Sequence, residues 1–297
     1  MNNTQLDTTK IQKPQPKYRR KLNQEQIAVL RLLCQVRFAS NEQIAKYQAK
    51  PDSKAIQKRL KILEDQGFIA KRYDKSYKLQ GKPAAYYLTP HGARTLESNE
   101  PSNTDTPLNI KRLYKDKDAS EGFITHCKNI LDVYQALKVL YPLPDQLGYY
   151  TKSQLSYEKY DYMPNPLPSA LIRVKANEGD RYYFLDIFEN DQPFFVLIRR
   201  IKKYLDYAGG GEWSGDDDEL PTVLLVAQNK SVHRRLRKRL FKELRDSYEE
   251  VHFATTRLEH ILNPVYNGNV WFPIDEYEDE EEPVIPVALT ELPQADN

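Results

Sequence analysis

Lys54, Gln57, Lys58 and Lys61 stand at offsets of three, four and seven residues, and on a helix that spacing gathers them on one face. Ammonium groups at this pitch suit a row of phosphates, while the Gln57 amide could pair bidentately with an adenine edge that the lysines only help to position. Ser53 just ahead, and Arg72, Lys75, Lys78 and Lys82 further on, extend the same chemistry. Other chemistries lack their residues. No Gly-Lys-Ser or Gly-Lys-Thr follows a strand pattern, and Gly209-Gly210-Gly211 runs into Glu212-Trp213 instead of a Lys-bearing helix. The five histidines have neither His-x-x-x-His nor His-hydrophobe-His spacing, which argues against zinc and against the metal site of a relaxase. Cys34 and Cys127 both fall on apolar helix faces, so reduced buried thiols are expected instead of a disulfide. No Arg and His gather around one Tyr as a recombinase would require. Neither a metal nor a cofactor is expected.

The elements that would position the basic face follow from periodicity. Ile56, Leu60 and Leu63 give the buried stripe of a helix that starts at Asp52 or Ser53 and is stopped by Gly67. Asn23 with Gln26, and Ser40 with Gln43, have capping-box spacing and predict two helices before it, the first burying Ile27, Leu30, Leu33 and Cys34. Pro51 cannot continue the second of these helices. Phe68 to Tyr73 alternates as a strand, a basic turn is expected from Asp74 to Lys82, and Ala84 to Leu88 reads as a second strand. Three short helices, a strand, a basic loop and a strand make a winged helix-turn-helix, whose third helix enters a major groove.

Gln66-Gly67-Phe68-Ile69, the basic wing, and Tyr86-Tyr87-Leu88-Thr89-Pro90-His91-Gly92-Ala93 resemble the closing pattern of winged-helix DNA-binding domains. Further on come His126 in an amphipathic helix, Tyr183-Phe184-Leu185-Asp186-Ile187, Arg200 to Tyr207, Gly211-Glu212-Trp213 and Pro221 to Val226. Over roughly residues 23 to 255, this order resembles the replication-relaxation proteins of plasmids and integrative conjugative elements. The resemblance implies a role in control of replication, relaxation or transfer.

Charge divides the chain. Residues 10 to 82 hold 19 Lys and Arg against 6 Asp and Glu, yet the whole chain is only +2. Such asymmetry points to one polyanion-binding end. The expected organisation is a disordered basic arm over 1–21, the winged helix over 22–96 and a linker over 97–118. An α/β domain over 119–262 and an acidic, Pro-containing tail over 263–297 complete it. A second basic concentration, His233 to Lys242, could lie across a phosphate backbone or be a solvated outer helix; acidic runs at Asp216–Glu219 and Asp275–Glu282 oppose it. Trp271 and Phe272 could dock the otherwise flexible tail, which is most simply inert. No apolar run nears the ~18 residues of a membrane span, and the N-terminus has no signal-peptide core, so the cytoplasm is the default.

The long helix from Ser120 to Tyr141 could offer a dimer seam or a core face, and the second reading is favoured, with His126 at its edge as a hydrogen-bonded core histidine. After it, strand, strand, strand, helix, strand, helix, strand imply a mixed sheet covered on both faces. That order resembles a restriction-endonuclease-like core, which holds a metal with two strand acids and a Lys two residues after the second. Here Pro168-Ser169 stands at the first position and Asp186-Ile187-Phe188 at the second, so one ligand of three survives. Asp186 with Lys203 reads as a remnant, although Lys202, Glu178 or Asp180 could substitute. The expectation is a non-enzymatic binder of double-stranded DNA, with a homodimer and a relaxase or replication protein as open partners. Competing readings are a winged-helix transcriptional repressor, a plasmid replication initiator and a metal-dependent endonuclease.

Overall fold

A computed structural model of the chain describes residues 21–50, 53–73, 75–99, 113–155, 161–176, 179–190, 192–211, 213, 220–274 and 285–293. The basic arm expected before Lys21 and the acidic runs at 216–219 and 275–282 lie outside these residues.

Both expected capping boxes form: Asn23 and Gln26 open α1 (Gln24–Val36), and Ser40 and Gln43 open α2 (Asn41–Tyr47). Helix α3 (Ser53–Asp65) buries Ile56, Leu60 and Leu63 completely. Gly67 follows it at φ 75°, a conformation only glycine adopts cheaply. A three-stranded antiparallel sheet backs the helices, with β3 (Ala85–Leu88) between β1 (Phe38–Ser40) and β2 (Ile69–Arg72). The expected basic turn at 74–82 differs: it carries a short helix, α4 (Lys75–Leu79), because Tyr77 is buried and donates to Glu121 at 2.8 Å. Helix α5 (Pro90–Asn99) closes the unit. Thr89 accepts from the Gly92 N–H at 3.0 Å and donates to the Gly67 carbonyl at 2.7 Å, so one hydroxyl starts the helix and ties it to the turn after α3.

Helix α6 (Glu121–Leu140), capped by Ser120, joins the two halves as a shared core element. Its Leu131 packs into the N-terminal core, whereas Ile130, Val133 and Leu137 pack into the core of the second half. Polar side chains fix the contact. Gln43 donates to the Lys128 carbonyl and to Asp132, Gln135 donates back to the Gln43 carbonyl, and between α1 and β4 (Leu147–Thr151) the Gln35 amide donates to the Tyr149 carbonyl while the Thr151 hydroxyl donates to the Gln35 carbonyl. The expected linker is not free at its far end. Leu113 is buried, and the fully buried Asp116 carboxylate pairs with Arg37.

The second half is a six-stranded mixed sheet ordered β4-β5-β6-β7-β8-β9. Strands β4, β5 (Ala170–Ala176) and β6 (Gly179–Phe188) are antiparallel neighbours; β6, β7 (Thr222–Ala227) and β8 (Phe253–Arg257) run parallel; β9 (Phe272–Ile274) returns antiparallel. Helices α7 (Phe194–Gly209) and α8 (Lys230–Arg245) cover one face over Phe184, Val223 and Leu225, and α6 with α9 (Leu258–Leu262) covers the other over Leu185, Leu224 and Val226. The flexible tail expected from 263 is corrected by this packing. Trp271 is 1% exposed, β9 is the sixth strand, and residues 285–293 dock through Val287 to Trp271 and through Leu289 to the Tyr183 hydroxyl.

Candidate functional site

The α3 stripe leaves its other face to solvent. Lys54, Gln57, Lys58 and Lys61 are all exposed. Arg59 on the same helix turns inward instead, to Glu25 and Gln48. Ser53 opens the helix. In the connection between β2 and β3, Lys75, Lys78 and Lys82 are exposed beside Leu79, itself 87% exposed. Arg72 departs from expectation. Its guanidinium donates to the carbonyls of Lys117 and Ala119 at 3.0 and 2.8 Å and lies 3.9 Å from Glu121, so it braces the segment leading into α6 and is not offered to a phosphate.

A second cluster lies at the end of β6. The Asp186 carboxylate accepts at Oδ1 from the Ser169 N–H and hydroxyl, both at 3.0 Å, and at Oδ2 from Arg200 Nε and from the Tyr204 hydroxyl at 2.8 Å. Four donors fill the roughly four lone-pair sites of a carboxylate. Arg200 also reaches the Pro166 carbonyl and receives the Tyr204 ring under its guanidinium at 4.3 Å. Burial raises the Tyr204 hydroxyl well above the usual phenol range, and Asp186 adds to the rise, so this hydroxyl stays protonated as a donor. Lys203, read from the sequence as the remnant's partner, is half exposed and pairs with Asp206 at 3.4 Å; Lys202 lies 3.8 Å from Glu243. Arg200 takes the place expected of a lysine. Asp180 pairs with Arg173 at 3.1 Å six residues up the strand, about 20 Å away, and Glu178 lies outside the described residues.

The residues present do not fit a divalent metal. A cation needs free carboxylate oxygens, and here a guanidinium already neutralises the one central acid, with the buried Phe188 two residues on. Among the described residues no group of three or more His, Cys, Asp or Glu is placed to hold a metal ion.

Beside Asp186, Ser169 Oγ lies 3.2 Å from His126 Nε2, His126 Nδ1 lies 3.2 Å from Glu189, and Asn129 holds the Glu189 carboxylate at 2.9 and 3.1 Å. The order is that of nucleophile, base and orienting acid. It does not supply an activated nucleophile: Ser169 is 7% exposed, its hydroxyl is committed to a carboxylate, the stronger acceptor, and its N–H is spent on the same oxygen. The arrangement locks α6 to the sheet. Sequence reasoning reached His126, Ser169 and Asp186 but missed Glu189, Asn129, Arg200 and Tyr204. The i, i+4 pair Arg200 and Tyr204 on the apolar side of α7 was the available signal.

Cys34 and Cys127 are free thiols, and burial pushes that of Cys127 up to about 12. No helix among the described residues is long and apolar enough to cross a membrane.

Fold and sites define a mixed α+β protein in which a helical unit with a cationic face is fastened through a shared helix to a six-stranded mixed sheet. Residues 30–223 match the model of the replication-relaxation family, and the chain belongs to that family. No curated protein matches it. Among solved structures, the restriction endonuclease FokI is similar at 11% identity over 80% of this chain and 42% of FokI, with a TM-score of 0.30. FokI bound to DNA gives 12% identity over 80% and 43%, with a TM-score of 0.27. The chain spans less than half the length of FokI.

Proposed function

We propose that this protein binds double-stranded DNA through a winged helix-turn-helix, in the service of replication, relaxation or transfer of a mobile element, and that its second half is a non-catalytic, restriction-endonuclease-like module. The observation that carries the reading is the α3 surface: three lysines and a glutamine on one exposed face, held out by a fully buried apolar stripe. Helix order and the antiparallel β2-β3 hairpin beside α3 support the winged-helix reading, with Lys75, Lys78 and Lys82 on the wing for phosphates. Family membership supports the process, since replication-relaxation is the family's description. The saturated Asp186 carboxylate supports the absence of nuclease chemistry, because the acid that would hold a metal is already the counter-ion of Arg200.

The test is to select genomic fragments bound by the chain at near-physiological salt, then to incubate the best fragment with protein and Mg²⁺ or Mn²⁺. Recovery of defined fragments, left uncut, is expected. Enrichment of none would contradict the DNA reading, and cutting that is lost on Asp186→Ala would contradict the non-catalytic one. On the recovered fragment, Gln57→Ala should chiefly erode preference over a scrambled duplex, by about 1–3 kcal/mol of discrimination.

A further inference from the structure

Helix α8 (Lys230–Arg245) carries eight Lys and Arg against one acid, Glu243. The fold uses some of these cations. Arg237 turns inward to Thr255 and to the carbonyls of Phe272 and Pro273, and Arg239 pairs with Glu243. Arg234, Lys238 and Lys242 lie on the outer face at successive i, i+4 positions, all exposed and about 6 Å apart along the helix. Like charges at this spacing repel one another and weaken the helix that carries them. Arg199, also exposed on the neighbouring α7, widens the cationic surface and lies over the 58% exposed Phe195 ring at 5.7 Å.

The position of this surface matters as much as its charge. Helices α7 and α8 cover the face of the six-stranded sheet opposite to α6, and the N-terminal unit packs on the far side of α6. The sheet and α6 therefore lie between α8 and the face of α6 on which the N-terminal unit packs, while α1 of that unit also meets the sheet at its β4 edge.

We propose that the α7–α8 face is a second, sequence-independent site for the phosphate backbone of duplex DNA, and that one chain thereby holds two DNA segments at once. The proposal rests on the α3 reading only for the first segment. Phosphates at the outer face of α8 would offset its internal repulsion, with Arg234, Lys238 and Lys242 as the contacts, and binding there would fall steeply with salt.

A biotinylated duplex on beads, loaded with the full-length protein, tests this by its capture of a second, fluorescent duplex of scrambled sequence. Wild-type protein should capture the second duplex. A chain carrying R234Q, K238Q and K242Q, all solvent-exposed positions, should lose that capture by about tenfold or more while still binding the first duplex through α3. With α3 silenced by Lys58→Ala and Lys61→Ala, residual duplex binding should persist, and the three glutamines should lower its salt slope by about three. Unchanged capture by the triple variant would overturn the second site and leave the α3 reading standing, since a dimer bridging through two α3 helices behaves that way. Loss of all binding on silencing α3 alone would overturn it equally.

Discussion

Asp186 and Arg200 define the second half of the molecule more than any other pair. Removing one member strands the other in the interior, and a buried pair broken on one side costs about 3–5 kcal/mol. Arg200→Gln should therefore lower the urea midpoint markedly, and Asp186→Asn in the same chain should restore part of the loss; a double variant with simply additive losses would show that the two are not coupled. His233 contributes to acid sensitivity. Burial, then Arg237, Arg257 and His260, depress its imidazole to about 4, and its Nε2 meets the Thr255 hydroxyl at 3.0 Å. Because the unfolded chain takes up the proton first, this contribution is complete above pH 6.5 and is lost as pH falls toward 4, by at most about 1.4 kcal/mol per pH unit. His233→Gln should flatten that part of a pH–stability curve; an unchanged slope would assign the acid sensitivity elsewhere. At this scale the sequence shows residue type but not orientation. Asp186 is legible because it is an acid within an apolar strand, whereas Arg200 looks no different from Arg199 until α7 packs and turns one inward and the other out.

Elements were legible where local chemistry sets them. Asn23 and Ser40 each cap the helix their spacing announces, and the strand at Thr222–Ala227 reads directly from its apolar run. Elements set by distant partners were not. Three-residue strands such as β1 and β9 exist only because β3 and β8 supply their hydrogen bonds, and α4 replaces an open turn because Tyr77 finds Glu121. The Thr89-Pro90-His91-Gly92 run has a packing cause. A Cβ on Gly92 would stand 2.1 Å from the Phe68 carbonyl oxygen, so α5 can approach the turn after α3 only with glycine there. Gly92→Ala should cost about 1–3 kcal/mol by overpacking, measured as a lower melting midpoint. A variant as stable as the parent would remove this reason for the motif and loosen the account of how α3 is braced.

Across the whole molecule, charge asymmetry was the most informative property of the sequence. It located a cationic unit in the first third, but it could not show that Arg59 is spent inside that unit, that Arg72 braces the segment leading into α6, or that Gln43 and Gln135 tie the unit to α6 while Gln35 ties it to the sheet. Those bonds cross from one half to the other, and periodicity within either half does not register them. They give the second half a mechanical role: it fixes the direction in which α3 is presented. The central claim is that exposed α3 lysines meet phosphates. The most direct test is duplex binding by fluorescence anisotropy across a salt series, for the wild-type chain and for Lys58→Ala with Lys61→Ala. The account predicts weaker binding of every duplex and a log–log salt slope reduced by about two. Equal affinity and equal slope in the two proteins would contradict it.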